Sequence, residues 1–169
     1  MRLQSSVGRR RAAAISGSAP QHSSVYWAKG AGAALAASEG LAPQLAAAGE
    51  LGAPESPVWM DSSTAAQCRE MEAAMGGPLR LARLTGCRAH QRSTGPQIRK
   101  MHQTRPQVYE ATERVSQVSS FMASLLVRGY ACINETDEAG MNIVDIDTRQ
   151  LRQDALQVPL VFASTYRCS

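Results

Sequence analysis

The sequence has few aromatic residues and no long apolar run. Aromatic side chains make up 5% of the 169 residues, and alanine supplies much of the 44% apolar fraction, so each apolar residue buries little area. No window of about 18 consecutive apolar residues occurs, which excludes a membrane-spanning helix on length. We therefore expect one soluble, cytoplasmic domain with a thin hydrophobic core.

The first eleven residues contain no acidic residue. Arg2, Arg9, Arg10 and Arg11 lie there and account for much of the formal net charge of +4. Such a start is typical of an organellar transit peptide, and a run of arginines can also contact nucleic acid. We interpret residues 1–11 as a disordered basic leader and predict no nucleic-acid partner, because no interleaved aromatic residues or recognised nucleic-acid-binding fold accompany it.

The cysteines lack the spacing of a metal site. The four are Cys68, Cys87, Cys132 and Cys168. No C-x-x-C pair and no neighbouring histidine pair is present, so zinc binding is not indicated. We expect reduced thiols, mostly buried, and no metal site.

Composition divides the rest of the chain into short segments. Residues 28–57 are rich in alanine, glycine and proline, which predicts a loosely structured region with one or two short helices. Beyond it, the patterns predict strands at residues 57–61, 114–118 and 142–147, and helices at residues 64–75, 78–85, 94–104, 108–109 and 119–128. Strands interleaved with helices are typical of an α/β fold, which is the fold class we predict.

Two of these helices carry specific signals at their ends. Thr64 and Gln67 fit a capping box at the start of the first, and Gly129 is expected to stop the last. The apolar residues that we expect to face inward are Cys68, Met71 and Met75 in the first helix, and Phe121, Met122, Leu125 and Leu126 in the last.

Five segments of the chain match one family in order and at similar spacing. They are ISGSAPQHSSVYW, PVWMDSSTAAQCREMEAAMGG, LTGCRAHQRSTGPQIRKM, YEATERVSQVSSFMASLL and ACINETDEAGMNIVDI. Together they resemble the N-terminal domain of the FGGY carbohydrate kinases, and most of all the D-xylulose kinases of eukaryotes. The resemblance covers residues 12–150 and implies a partial ribonuclease-H-like, actin-like α/β domain.

The resemblance also implies a reaction. In this family ATP and Mg²⁺ bind between two domains, and the γ-phosphoryl group passes to a sugar hydroxyl, here the terminal hydroxyl of D-xylulose in pentose metabolism. Two alternatives stay open, namely a kinase for a related ketopentose or polyol, and a non-catalytic sugar-binding or interaction module that resembles a pseudokinase.

Three residues are implied as sugar contacts by their positions in the matched segments. His22 stands at the family's sugar-binding turn with Gln21 before it, and imidazole can donate to or accept from neutral hydroxyls. Arg92 corresponds to a second contact, since guanidinium offers a fixed fork of donors to adjacent oxygens. The alternatives are a solvent-exposed loop histidine and a surface arginine beside a helix.

The remaining candidates have weaker support. Asp61 ends a predicted strand, where α/β proteins tend to bind ligands, although it could equally cap the helix that starts at Thr64. We expect Asp137 to be structural, and His90 and His102 to lie on helix flanks without a functional role.

Some of the family's functional segments have no counterpart in this sequence. These are the phosphate-binding loop expected before His22, the catalytic base expected further downstream, and the ATP-binding domain. We therefore expect a truncated, catalytically incomplete fragment with a divergent tail at residues 151–169, no catalytic residue of its own and no measurable phosphotransfer.

Overall fold

The computed structural model describes residues 13–14, 17–37, 51–53 and 55–157. The predicted basic leader and most of the predicted tail lie outside these residues. The elements are β1 Ser24–Ala28, α1 Ala31–Ala37, α2 Ala65–Ala74, α3 Pro78–Thr85, α4 Thr94–Thr104, α5 Pro106–Glu110, β2 Thr112–Gln117, α6 Val118–Val127, α7 Glu135–Gly140 and α8 Gln153–Leu156. No helix of the described residues is long and apolar enough to span a membrane.

The two strands pair in antiparallel orientation. Ser24 lies opposite Gln117 and Tyr26 opposite Val115, and the register shifts after Trp27. Strands and helices therefore occur together, which confirms the predicted mixture of helix and strand. Antiparallel pairing of these distant segments brings the loop before β1 next to the start of α6, where Val118 N donates to Ser23 O over 3.1 Å.

Strand β1 separates two hydrophobic clusters. Because successive side chains of a strand point to opposite faces, Tyr26 joins the main cluster and Val25 and Trp27 join the second. The Trp27 indole donates to Ser116 Oγ over 2.9 Å, and its ring lies 5.2 Å from that of Phe121. The main cluster is built largely from α2, α3, α4 and the segment after α7.

Two predicted strands are wrong. The apolar run at residues 57–61 forms a turn in which Asp61 N donates to Val58 O, and Trp59 is 51% exposed. Residues 142–147 form one isolated bridge between Val144 and Leu151. An apolar or alternating run becomes a strand only where another strand pairs with it, and no strand among the described residues lies beside either segment.

The predicted helices are confirmed, with corrections at their ends and faces. Met71 and Met75 of the first are buried, as expected, and residues 94–104 form α4. In α6, Met122 and Leu126 are exposed rather than inward, whereas Phe121 packs against the second cluster. The left-handed residue that ends α6 is Arg128, with φ of 58°, and not a glycine.

The expectations for residues 28–57 and for the cysteines are met in part. Helix α1 is one of the short helices predicted there, while residues 38–50 and 54 lie outside the described residues.

Cys68 is a buried free thiol and Cys87 is an exposed free thiol, and burial raises the pKa of both. Cys132 is disulfide-bonded, so the expectation of a reduced thiol is wrong at that position.

Candidate functional site

His22 lies in the turn that leads into β1 and is half-buried. Its Nδ1 atom is shielded from solvent and has no hydrogen-bond partner among the described residues. A buried polar atom without a partner costs free energy, so such atoms in native proteins usually meet a water or a ligand. The imidazole is therefore placed to exchange a hydrogen bond with a small polar molecule.

Burial and nearby positive charges lower the pKa of the His22 imidazole. Burial lowers its pKa most, the positive charges of Arg92 and His90 lower it further, and the carboxylate of Asp137 opposes them. The structure therefore brings His22 and Arg92 together, although they lie far apart in the sequence. A neutral imidazole carries both a donor and an acceptor nitrogen, which suits the hydroxyl groups of an uncharged sugar.

Arg92 belongs to a turn whose backbone is held from two sides. The carbonyl of Gln91 accepts hydrogen bonds from Thr64 Oγ1 over 2.5 Å and from Gln97 Nε2 over 3.1 Å. The side chain of Arg92 is exposed, and no described residue forms an ion pair or hydrogen bond with its guanidinium. A fixed backbone thus presents a donor group that remains available to a ligand.

Close packing of α4 sets the position of this turn. Gly95 N donates to Met141 O over 2.8 Å, and a Cβ atom added at Gly95 would lie 2.9 Å from that oxygen and 2.5 Å from Cγ2 of Ile143. Only glycine permits so close an approach of the start of α4 to residues 141–143. The glycine therefore places the residues just before α4, including Arg92, against the rest of the domain.

Gln21 is engaged with α7. Its Nε2 donates to Thr136 O over 3.0 Å, and its side chain packs so closely on Gly140 that a Cβ atom there would lie 2.7 Å from Nε2. In this arrangement the amide group of Gln21 anchors the turn that carries His22. The structure thus shows Gln21 bonded to α7, next to His22, the candidate sugar contact.

Asp61 lies beside a cavity of about 450 Å³. Burial would raise the pKa of its carboxyl, but hydrogen bonds from Ser63 and Gln97 and the charge of Lys100 outweigh burial and lower it. The carboxylate accepts from Ser63 N over 2.7 Å and lies 3.8 Å from Lys100 Nζ. It is thus held in a local turn by Ser63 and Lys100.

The predicted capping box at the start of α2 is wrong. Thr64 makes no side-chain cap to the helix, since its hydroxyl donates to Gln91 O instead. This hydrogen bond connects α2 to the turn that carries Arg92. Local sequence could not predict it, because Gln91 lies 27 positions from Thr64.

Asp137 ties three elements together, as expected of a structural residue. Its Oδ2 atom accepts hydrogen bonds from Ser119 Oγ over 2.5 Å and from Asn134 Nδ2 over 3.1 Å. Its backbone carbonyl accepts from Gln117 Nε2 over 2.9 Å. The same carboxylate also acts on His22, so α7 contributes to the electrostatics of the site.

His90 is a neighbour of His22 that sequence reasoning did not find. It is exposed, it lies two residues before Arg92, and its charge reaches His22. Its closeness to Arg92 in the chain was the available signal, but only the fold shows that His22 is also near. His102, the other histidine that we expected to be without a role, packs edge-to-face on Tyr109 at 5.2 Å.

Comparison with known proteins identifies the relatives of this chain. Xylulose kinase 2 of Arabidopsis thaliana is 54% identical over 147 residues, which cover 85% of the chain, and the xylulose kinase of Mus musculus is 46% identical over 149 residues, which cover 86%. The chain is similar to these xylulose kinases over most of its own length. The predicted family resemblance is thereby confirmed.

The aligned region covers most of this chain but a small part of each xylulose kinase. The chain spans 26% of the length of the Arabidopsis and mouse proteins, and 27% of the xylulose kinase of Schizosaccharomyces pombe, to which it is 41% identical. No protein-family model matches the chain.

ATP and Mg²⁺ are the co-substrate and metal that the family implies. Within residues 13–14, 17–37, 51–53 and 55–157, no three His, Cys, Asp or Glu side chains are grouped to hold a metal ion. The described residues therefore do not fit a magnesium site, and we derive no step through one.

Proposed function

We propose that this homologue binds D-xylulose at His22 and Arg92, as the sugar-binding part of an ATP-dependent phosphorylation that yields D-xylulose 5-phosphate. The observation that supports this most is the juxtaposition of two uncommitted groups. The Nδ1 atom of His22 is buried without a partner, and the guanidinium of Arg92, which no described residue pairs, lies near enough to lower the pKa of His22. We also propose that residues 12–150 form a partial ribonuclease-H-like domain and that the protein is cytoplasmic.

The two side chains would have different roles. The neutral imidazole of His22 would accept a hydrogen bond from one sugar hydroxyl or donate one to a sugar oxygen. Arg92 would donate two hydrogen bonds to adjacent oxygens, which fixes the direction of the sugar chain. Together they orient the ketopentose, so that its terminal hydroxyl meets the phosphoryl donor in one geometry.

Phosphotransfer itself requires groups beyond these two. ATP supplies the γ-phosphoryl group, and a carboxylate base near the accepting hydroxyl would take its proton. We assign no such base to this chain. We therefore propose that the 169-residue chain binds sugar without turning it over.

Isothermal titration calorimetry with D-xylulose tests the binding site. We expect His22→Ala and Arg92→Ala each to weaken binding by about tenfold or more, because each removes hydrogen bonds to the ligand, one of them charged. His102→Ala is the matched control, since that histidine packs on Tyr109 and is not a candidate sugar contact. Equal affinities of the wild type and both site variants would contradict the proposal.

A coupled ADP-release assay distinguishes the alternatives. Binding of D-xylulose without ADP release supports a sugar-binding module, whereas release that is lost in His22→Ala would show that the chain turns over sugar. Titration with D-ribulose and L-ribulose under the same conditions would show whether a related ketopentose is the preferred ligand.

A further inference from the structure

The cavity beside Asp61 lies between α4 and the loop at residues 55–61. It has a volume of about 450 Å³, and neither His22 nor Arg92 lines it. Its lining includes Gln97, Lys100 and Met101 of α4, Arg105 just after α4, and Pro57 and Asp61 of the loop. The three residues of α4 share one face of the helix, because side chains three or four positions apart lie on the same side.

The charged groups that line this cavity balance one another. Lys100 and Arg105 are its cations, and Glu55 and Asp61 are its anions. A ligand with a net charge would be attracted by one pair and repelled by the other. Hydroxyl groups both donate and accept hydrogen bonds, so an uncharged ligand rich in hydroxyls can use charged groups of both signs.

Asp61 and Lys100 are held at a separation that suits one hydroxyl group. Lys100 Nζ lies 3.8 Å from Asp61 Oδ2, longer than the ordinary charge-assisted hydrogen bond of about 2.7–2.9 Å. Ser63 fixes both groups, since its N donates to Asp61 Oδ1 over 2.7 Å and its Oγ accepts from Lys100 Nζ over 2.5 Å. The side chains remain 33% and 23% exposed, so a ligand can reach them. A hydroxyl that accepts from Lys100 and donates to Asp61 would bridge the gap.

Arg105 and Met101 offer the same ligand further contacts. The side chain of Arg105 is exposed, and no described residue forms an ion pair or hydrogen bond with its guanidinium. Its backbone is fixed, because Arg105 N donates to Met101 O over 2.8 Å. A guanidinium donates to two adjacent oxygens, as on neighbouring carbons of a polyol. The Met101 side chain, 7% exposed, gives the C–H groups of the ligand an apolar surface.

We propose that this cavity binds an uncharged polyhydroxyl compound, a sugar or a sugar alcohol. One hydroxyl bridges Lys100 and Asp61, and two neighbouring oxygens accept from Arg105. Because His22 and Arg92 do not line the cavity, this inference does not rest on the proposed function.

Titration with xylitol tests the proposal without any substitution. Xylitol carries a hydroxyl on every carbon, has no charge and lacks the carbonyl group of a ketose. In the chain labelled at its methionine methyl groups, NMR should show a shift of the Met101 signal, because Met101 lines the cavity. The signal of Met122, which is exposed on α6, should stay in place. Met101→Leu identifies the signal.

Two substitutions test the bridging hydroxyl. Lys100→Gln removes the ammonium donor and Asp61→Asn removes the carboxylate charge, so each should raise the dissociation constant for xylitol about tenfold in calorimetry. Lys29→Gln is the matched control, since Lys29 is exposed and does not line the cavity. Wild-type protein that binds no xylitol, or equal dissociation constants for the wild type, Lys100→Gln and Asp61→Asn, would overturn the proposal. Inorganic phosphate that shifts the Met101 signal where xylitol does not would refute an uncharged ligand.

His22→Ala separates this site from the proposed function. It should leave xylitol binding unchanged, and loss of xylitol binding in this variant alone would place the ligand at His22 and contradict the proposal. D-xylulose binding is measured in the Lys100→Gln protein, so that the cavity contributes little. If that protein binds no D-xylulose while the wild type binds xylitol through Lys100, the proposed function fails and the polyol site stands.

Discussion

The hydroxyl of Thr64 donates to the carbonyl of Gln91 over 2.5 Å. This bond joins the start of α2 to the turn that carries Arg92. It spans 27 positions of the sequence, and Thr64 is fully buried. The geometry of the candidate sugar site therefore depends on a residue that would contact no sugar.

Replacing Thr64 by valine should loosen this turn. Valine has nearly the same shape but cannot donate, and Gln91 O would keep only the bond from Gln97. We expect the free energy of unfolding to fall by about 1 kcal/mol, as measured by urea denaturation, and D-xylulose binding to weaken. Thr104→Val is the control, because the exposed hydroxyl of Thr104 bonds only within its own helix, to Lys100 O. Equal losses in the two variants would refute a special role for Thr64.

Gly95→Ala should destabilise the domain. The added methyl group would collide with the Met141 carbonyl and the Ile143 side chain, so α4 must move away from residues 141–143. Overpacking of this kind costs about 1–3 kcal/mol, measurable by thermal or urea unfolding. Gly129→Ala serves for comparison, since a Cβ atom there has no neighbour within 4 Å. A Gly95 variant as stable as the Gly129 variant would show that α4 does not pack as described.

Acid should weaken the segment after α7 through Asp145. Its carboxylate accepts hydrogen bonds from Thr148 N over 2.9 Å and Asp147 N over 3.1 Å, and Arg152 lies 3.3 Å away. The backbone bond from Thr148 does most to lower its pKa below the ordinary 3.8; burial opposes the shift. A lowered folded pKa means that the stabilisation is complete above 3.8 and is lost as the pH falls through the folded value.

The comparison of Asp145→Asn with the wild type measures this effect. The stability difference between the two proteins, obtained by urea denaturation, should be largest above pH 3.8 and shrink at lower pH. Asp147→Asn, at an exposed neighbouring position, is the control. A difference for Asp145→Asn that does not change with pH would contradict the assignment.

Local signals predicted the helices well because a helix satisfies its backbone within one segment. The start and end of α4 follow from Pro96 near its beginning and from Pro106, which disfavours helix at the residue before it. Met71 and Met75 were placed on the buried face of α2 by their spacing alone.

Strands and polar contacts could not be predicted in the same way. The run at residues 57–61 is apolar enough for a buried strand, yet Trp59 is exposed because nothing among the described residues pairs with that segment. Likewise, Thr64 fits a capping box by sequence but bonds to Gln91, since a hydroxyl donates to whichever acceptor the fold brings near.

The sequence by itself predicted the helices, because these depend on short-range periodicity, and its five matched segments carried the resemblance to xylulose kinases that made His22 and Arg92 candidates. Only the tertiary structure decided that His22 and Arg92 lie together with His90, and that Ser63 and Lys100 hold Asp61 beside a cavity. These relationships depend on pairing β1 with β2 and on packing α4 against residues 141–143, contacts between segments far apart in the chain. Local sequence patterns do not predict these contacts, because they arise from the packing of the whole domain.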